Sequence, residues 1–261
     1  IDDRYVFREF LGVGCEGSTA LYQDTYLGKT VVIKRYKNVQ RNQLSNSMIE
    51  IFQGQAHDWP PEIPAMLLFG NVNDAIPENP TGSDTGHLGF LPVLDYFLVN
   101  RDRNRKTSPK WHLVSPYISN GTLKNLARRI YEEQLSEDQG LRTLDASLRP
   151  VFNNLLARVS TLHDKGYCHN DIKPSNILAH SLTDWILGDL GNVRQIHHPF
   201  YATNLWKKKN QWSDCRANDI RRALKTYLWV LRAGTTNKQM FDEAFYAESE
   251  PWSRMYWNFI R

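Results

Sequence analysis

The 261-residue chain carries 32 Lys and Arg against 28 Asp and Glu, and a formal net charge of +4 is too small to mark a nucleic-acid-binding protein. Hydrophobic residues at 41% and charged residues at 23% fit a soluble globular protein long enough for one large domain or two lobes. No stretch approaches the ~20 apolar residues that span a bilayer. Three cysteines without metal-type spacing argue against a disulfide framework and for a cytoplasmic or other reducing intracellular compartment. The first residue is Ile1 rather than Met, as in an excised domain from which a targeting segment could have been removed.

In chain order, β-branched and aromatic runs come first: Val6 to Leu11, Ala20 to Tyr26, and Thr30 to Tyr36. Between the first two lies Gly12-Val-Gly14-Cys-Glu-Gly17, a turn whose glycines let the backbone approach a ligand closely. The third run holds Thr30-Val-Val-Ile-Lys34, and Ser47 to Phe52, which carries Glu50, reads as a helix. From Trp59 to Gly89 the chain is rich in Pro, Gly, Asn and Asp and reads as a loop-bearing insertion. Phe90 to Leu98 and Trp111 to Val114 are further strands. They flank a polar run over 100–109 whose Arg101, Arg103, Arg105 and Lys106 form either a solvated loop tip or a contact for an acidic partner. Helical periodicity then takes over. Leu148, Phe152, Leu155, Val159 and Leu162 share one helix face ahead of Gly166, and Asp219 to Arg232 predicts a second helix stopped by Gly234. Strands followed by helices predict an α+β protein in two lobes.

The densest chemistry lies in His169-Asn-Asp171-Ile-Lys173-Pro-Ser-Asn176, followed by Asp189-Leu-Gly191. Asn176 stands five residues after Asp171, and Asp189 thirteen after Asn176. A carboxylate to orient a hydroxyl, an amide oxygen, a second carboxylate and a nearby lysine are what magnesium-assisted phosphoryl transfer requires. These segments resemble the protein kinase pattern H-R-D-x-x-x-x-N followed by D-F-G. The Gly-rich turn and the strand ending in Lys34 resemble the family's G-x-G-x-x-G and V-A-I-K segments, in the same order.

The resemblance, to eukaryotic-type Ser/Thr protein kinases, implies a small β-rich N-lobe over 1–115 and a helical, reduced C-lobe over 116–261. It implies ATP and Mg2+ as cofactors and a protein as substrate. Gly12, Gly14 and Gly17 would cover the phosphates, and Lys34, held by Glu50, would clamp the α- and β-phosphates. Val32 and Leu178 would sandwich adenine. Ser115 would guard the back of its pocket, with the backbone of Pro116 and Ile118 at the adenine edge. Asp171 would orient the acceptor hydroxyl, Lys173 would neutralise the transferred group, and Asn176 and Asp189 would hold magnesium. His169 would pack in the core rather than act as a base.

Several positions depart from the family pattern. Asn170 replaces the arginine that ordinarily receives an activation-segment phosphate, Leu190 replaces phenylalanine, and no A-P-E occurs between Asp189 and Asp219. Only 27 residues follow Gly234. The expectation is a Ser/Thr protein kinase competent without activation-segment phosphorylation. The alternatives are an ATP-binding pseudokinase or scaffold, and a small-molecule kinase.

Overall fold

The computed structural model describes residues 1, 3–37, 59–70, 89–99, 108–136 and 140–261. They divide into two compact units, Ile1–Tyr117 and Ile118–Arg261. The division falls after Tyr117, whereas the sequence places it after Ser115.

The N-terminal unit is a five-stranded antiparallel sheet of β1 (Tyr5–Val13), β2 (Gly17–Asp24), β3 (Lys29–Tyr36), β4 (Asp95–Val99) and β5 (Lys110–Pro116), in the order β1-β2-β3-β5-β4. The period-2 alternation of strands sorts β3 into two faces. Val31 and Ile33 are buried with Tyr5 and Val114 in the core, while Val32 and Lys34 point the other way. At the sheet margin, Arg4 bridges Asp24 and Asp95, and the Tyr5 hydroxyl donates to Asp95 at 2.8 Å.

One element corrects the loop reading of 59–89. Glu62–Phe69 is a helix, α1, with six of its eight residues buried. Its prolines read as breakers, yet Pro61 is the N-cap and Pro64 lies in the first turn. There a missing N–H costs nothing, because the first four helical N–H groups have no intrahelical acceptor. Residues 71–88 and Glu50 lie outside the described residues.

The C-terminal unit is helical: α2 (Leu123–Ser136), α3 (Gly140–Asp164), α4 (Asn204–Lys208), α5 (Cys215–Gly234), α6 (Lys238–Tyr246) and α7 (Pro251–Ile260). Leu148, Phe152, Leu155, Val159 and Leu162 of α3 are all buried, as their spacing predicts. Phe152 stacks on Tyr227 of α5 with centroids 4.2 Å apart, and the Tyr227 hydroxyl donates to Asp145 of α3 at 2.6 Å. Where α5 ends, a Cβ at Gly234 would lie 2.9 Å from the Ile130 side chain of α2, so glycine permits that close helix approach. Two short ladders complete the unit: β6 (Tyr167–Cys168) with β9 (Arg194–Gln195), and β7 (Ile177–Ala179) with β8 (Trp185–Leu187). No helix among the described residues is long and apolar enough to cross a membrane.

The cysteine reading is also corrected. An odd count forbids complete pairing but not a single bridge, and Cys168 and Cys215 are disulfide-bonded across 47 residues, leaving Cys15 free and exposed. A bridge of this kind belongs to oxidising conditions, so the ground for expecting a reducing compartment falls away.

Candidate active site

In the N-terminal unit the Gly-rich turn joins β1 to β2. Gly12 pairs with Thr19, and the Gly14 N–H donates to the Gly17 carbonyl at 2.8 Å. The glycines differ in what they need. A Cβ at Gly12 or Gly14 would meet open space or an ordinary contact, whereas one at Gly17 would lie 2.2 Å from the Arg35 carbonyl oxygen. Gly17 is therefore demanded by the approach of β2 to β3, independently of any ligand.

Lys34 sits on the face of β3 opposite the core. Its ammonium donates to Glu62 at the start of α1, and to Glu16 at 3.0 Å. The Tyr36 hydroxyl donates to the same Glu62 oxygen at 2.6 Å. Glu62 is buried, so its charge rests on these donors and on the first-turn position, where the helix dipole favours a carboxylate. The sequence expectation named Glu50 for this role. Glu50 lies outside the described residues, and Glu62 and Glu16 both accept from Lys34. Val32 is half-buried and stands opposite Ser115, which is buried, and Val31 stands opposite Pro116.

In the C-terminal unit the stretch from His169 to Asn176, which by resemblance corresponds to the catalytic loop of protein kinases, hangs from one buried carboxylate. Asp219, in the second turn of α5, accepts from the backbone N–H of His169 at 2.6 Å and of Asn170 at 2.9 Å, and pairs with Arg222 at 3.3 Å. His169 is fully buried. Its Nε2 donates to the Gly188 carbonyl at 3.1 Å, and its Nδ1 accepts from the Asp171 N–H at 3.2 Å. Both bonds belong to the neutral ring, and burial holds the His169 pKa below its ordinary value. The histidine thus packs in the core, as the resemblance implies, and ties the loop to the residue before Asp189.

Asp171 has two distinct oxygens. Oδ2 accepts from Lys173 at 2.7 Å and from Asn176 at 3.0 Å, while Oδ1 has no partner among the described residues. Asn176 Nδ2 is pinned a second time by the Asp171 carbonyl at 2.9 Å, which turns Oδ1 of the amide away. The β7–β8 hairpin sets the next spacing. Asn176 precedes β7 and Gly188 follows β8, and the Gly188 N–H donates to the Asn176 carbonyl at 2.8 Å, so Asp189 emerges at the same end as Asn176. Asp189 has φ 55° and caps the short 3-10 turn Leu190–Asn192. An amide oxygen and a carboxylate at one hairpin end are the hard donors that Mg2+ takes. Leu178 is half-buried in β7, bridged to Thr122, and Ile118 is buried.

Asn170 shows what stands in place of the missing arginine. With φ 69° it occupies the left-handed region that asparagine tolerates. Its Nδ2 donates to the Tyr201 hydroxyl at 2.9 Å and to the carbonyls of Asn192 and Cys168 at 3.0 and 3.2 Å. Tyr201 is buried, and burial pushes its phenol up to about 12, so it stays neutral and accepts this bond. Tyr201 and Trp206 form an apolar cluster with the Cys168–Cys215 bridge. Trp206 Nε1 donates to the Trp212 carbonyl at 2.9 Å, and Asn218 grips both the N–H and the carbonyl of Trp212 at 3.0 and 2.8 Å. The segment lacking A-P-E is therefore anchored by tryptophan, asparagine and a disulfide.

Sequence reasoning did not single out Glu62, Tyr201 or the paired cysteines. A glutamate between prolines and an isolated tyrosine carry no spacing signal.

A family model of the protein kinase domain matches residues 97–209. Over 189 residues, 72% of this chain and 17% of the relative, the sequence is 34% identical to serine/threonine-protein kinase PknD of Chlamydia trachomatis. Over 109 residues, 42% of this chain and 32% of the relative, it is 30% identical to serine/threonine-protein kinase 16 of Mus musculus. The chain thus spans about a third or less of the length of these curated relatives. With a five-stranded antiparallel unit, a helical unit and a loop that hangs on Asp219, it belongs to the eukaryotic-type serine/threonine protein kinase family.

Proposed function

We propose that this chain transfers the γ-phosphoryl group of ATP, with Mg2+, to serine or threonine hydroxyls of a protein substrate, and that it does so without activation-segment phosphorylation. The observation that carries the reading is the division of labour at Asp171. One oxygen is committed to Lys173 and Asn176, and the other is left open for a hydroxyl proton. In this reading the acceptor oxygen bonds to the γ-phosphorus as the bond from phosphorus to the β-phosphate oxygen breaks. The hydroxyl proton passes to Asp171, and ADP leaves. Asn176 and Asp189 would hold magnesium, which when bound neutralises charge on the phosphate oxygens. Lys34, oriented by Glu62, would hold the α- and β-phosphates, and Lys173 would meet the transferred group. Independence from phosphorylation is supported by the Asn170–Tyr201 bond, a neutral tie at the position where the family pattern has a phosphate-receiving arginine.

Incubation with γ-labelled ATP and Mg2+ tests the reading, comparing wild type with Asp171→Ala. Label on protein that disappears in the variant is expected, and phosphatase treatment of the enzyme beforehand should leave the rate unchanged. Nucleotide binding without transfer would point instead to a scaffold. Label confined to small molecules would point to a small-molecule kinase.

A further inference from the structure

The segment between Asp189 and Asp219 carries a charge pattern that phosphoryl transfer does not use. Helix α4 buries Trp206 against Cys168 and Tyr201, beside the catalytic loop, and is capped by Thr203 Oγ1 at 3.3 Å from the Trp206 N–H. With its buried side fixed there, Leu205, Lys207 and Lys208 face solvent, and Lys209 follows them, also exposed. None of the three lysines has an ion pair or a side-chain hydrogen bond among the described residues, whereas Arg216 is spent on Asp214 and Arg222 on Asp219. From Pro199 to Arg222 there are six Lys and Arg against two Asp, and both aspartates are already paired. Three adjacent cations without an ion pair among the described residues, on a base packed through Trp206, are a recognition surface for negative charge.

We infer that Lys207, Lys208 and Lys209 select acidic protein segments, so that the preferred substrate carries Asp, Glu or phosphorylated residues near its Ser or Thr acceptor. This rests on the kinase reading above and narrows it to a substrate class. Leu205, 56% exposed on the same helix, adds an apolar contact beside the charges.

The test uses the full chain, MgATP, and matched Ser/Thr peptides that differ only in having Glu, Gln or Lys around the acceptor. The wild type should favour the Glu peptide over the Gln peptide by roughly tenfold in kcat/KM at low salt, and the preference should shrink at high salt as charges are screened. Lys207→Gln/Lys208→Gln/Lys209→Gln should bring the Glu-to-Gln ratio near one. The corresponding triple Lys→Glu variant should turn the preference towards the Lys peptide. Thermal melting and MgATP binding check that both variants fold. Transfer by the wild type with no preference for the Glu peptide overturns the inference while leaving the kinase reading intact. A preference that survives both triple variants overturns it as well. No transfer to any peptide by nucleotide-bound wild type removes the kinase reading and this inference together.

Discussion

Breaking the Cys168–Cys215 bridge perturbs the base of the catalytic loop at one covalent point. Both cysteines are buried, and they close a loop of 47 residues that contains His169, Asp171, Asn176, Asp189 and Tyr201. Chain-entropy reasoning for a loop of that length assigns the bridge about 4 kcal/mol through restriction of the unfolded chain. At ~2–4 °C per kcal/mol for a chain of this size, Cys215→Ala should lower the melting temperature by about 10 °C. The assay is differential scanning calorimetry of wild type and Cys215→Ala, each with and without reductant. Wild type should melt lower on reduction, and the variant should be indifferent to reductant. Denatured wild type should label at one thiol before reduction, Cys15, and at three after it. Three reactive thiols without reductant would refute the bridge. A proven bridge whose loss shifts the melt by less than about 2 °C would refute the entropic argument, since residual structure in the unfolded state would then already restrict the chain.

Three further outcomes are expected. Glu62→Gln removes the buried charge that holds Lys34 and should cost roughly tenfold or more in kcat/KM for ATP, against a small effect of Glu16→Gln at the half-exposed partner; the reverse ranking in a steady-state assay would refute this pairing. Tyr201→Phe removes the acceptor for Asn170 and should cost about 1 kcal/mol by urea denaturation; a stability equal to wild type would show that the tie carries nothing. Because burial lowers the His169 pKa in the folded state, the unfolded chain takes up that proton first. Stability should therefore fall as pH drops through about 6.5, the unfolded value. Urea midpoints between pH 8 and pH 5 should decline less steeply in His169→Asn than in wild type, and parallel curves would count against the assignment.

Legibility in the sequence followed the range of the interactions. β1 to β3 were readable because β-branched and aromatic runs are a local signal, whereas the two faces of β3 emerged only from the packing of Val31 and Ile33 in the core. The core face of α3 was readable because Leu148 to Leu162 repeat at helical spacing. Helix α1 was hidden because Pro61 and Pro64 look alike as letters, although their positions at the start of a helix make them harmless. The cation cluster at 100–107 lies outside the described residues, and so does Glu50. Within the candidate site, Asp171, Lys173, Asn176 and Asp189 stand in one short stretch, where spacing alone announces the chemistry. Glu62 lies 28 residues from Lys34, and Tyr201 lies 31 from Asn170, distances at which sequence carries no geometric information.

By itself the sequence determined the family resemblance, the order of strands before helices, and the chemical types assembled around residue 171. Those features depend on residues a few positions apart, where backbone geometry converts spacing into direction. Tertiary structure alone decided that Glu62 meets Lys34, that His169 is a buried neutral strut, that Asn170 holds Tyr201, and that Cys168 finds Cys215. Each of these depends on burial and on partners brought together across tens of residues. The packing of β3 with α1, and of α5 with the catalytic loop, supplies both.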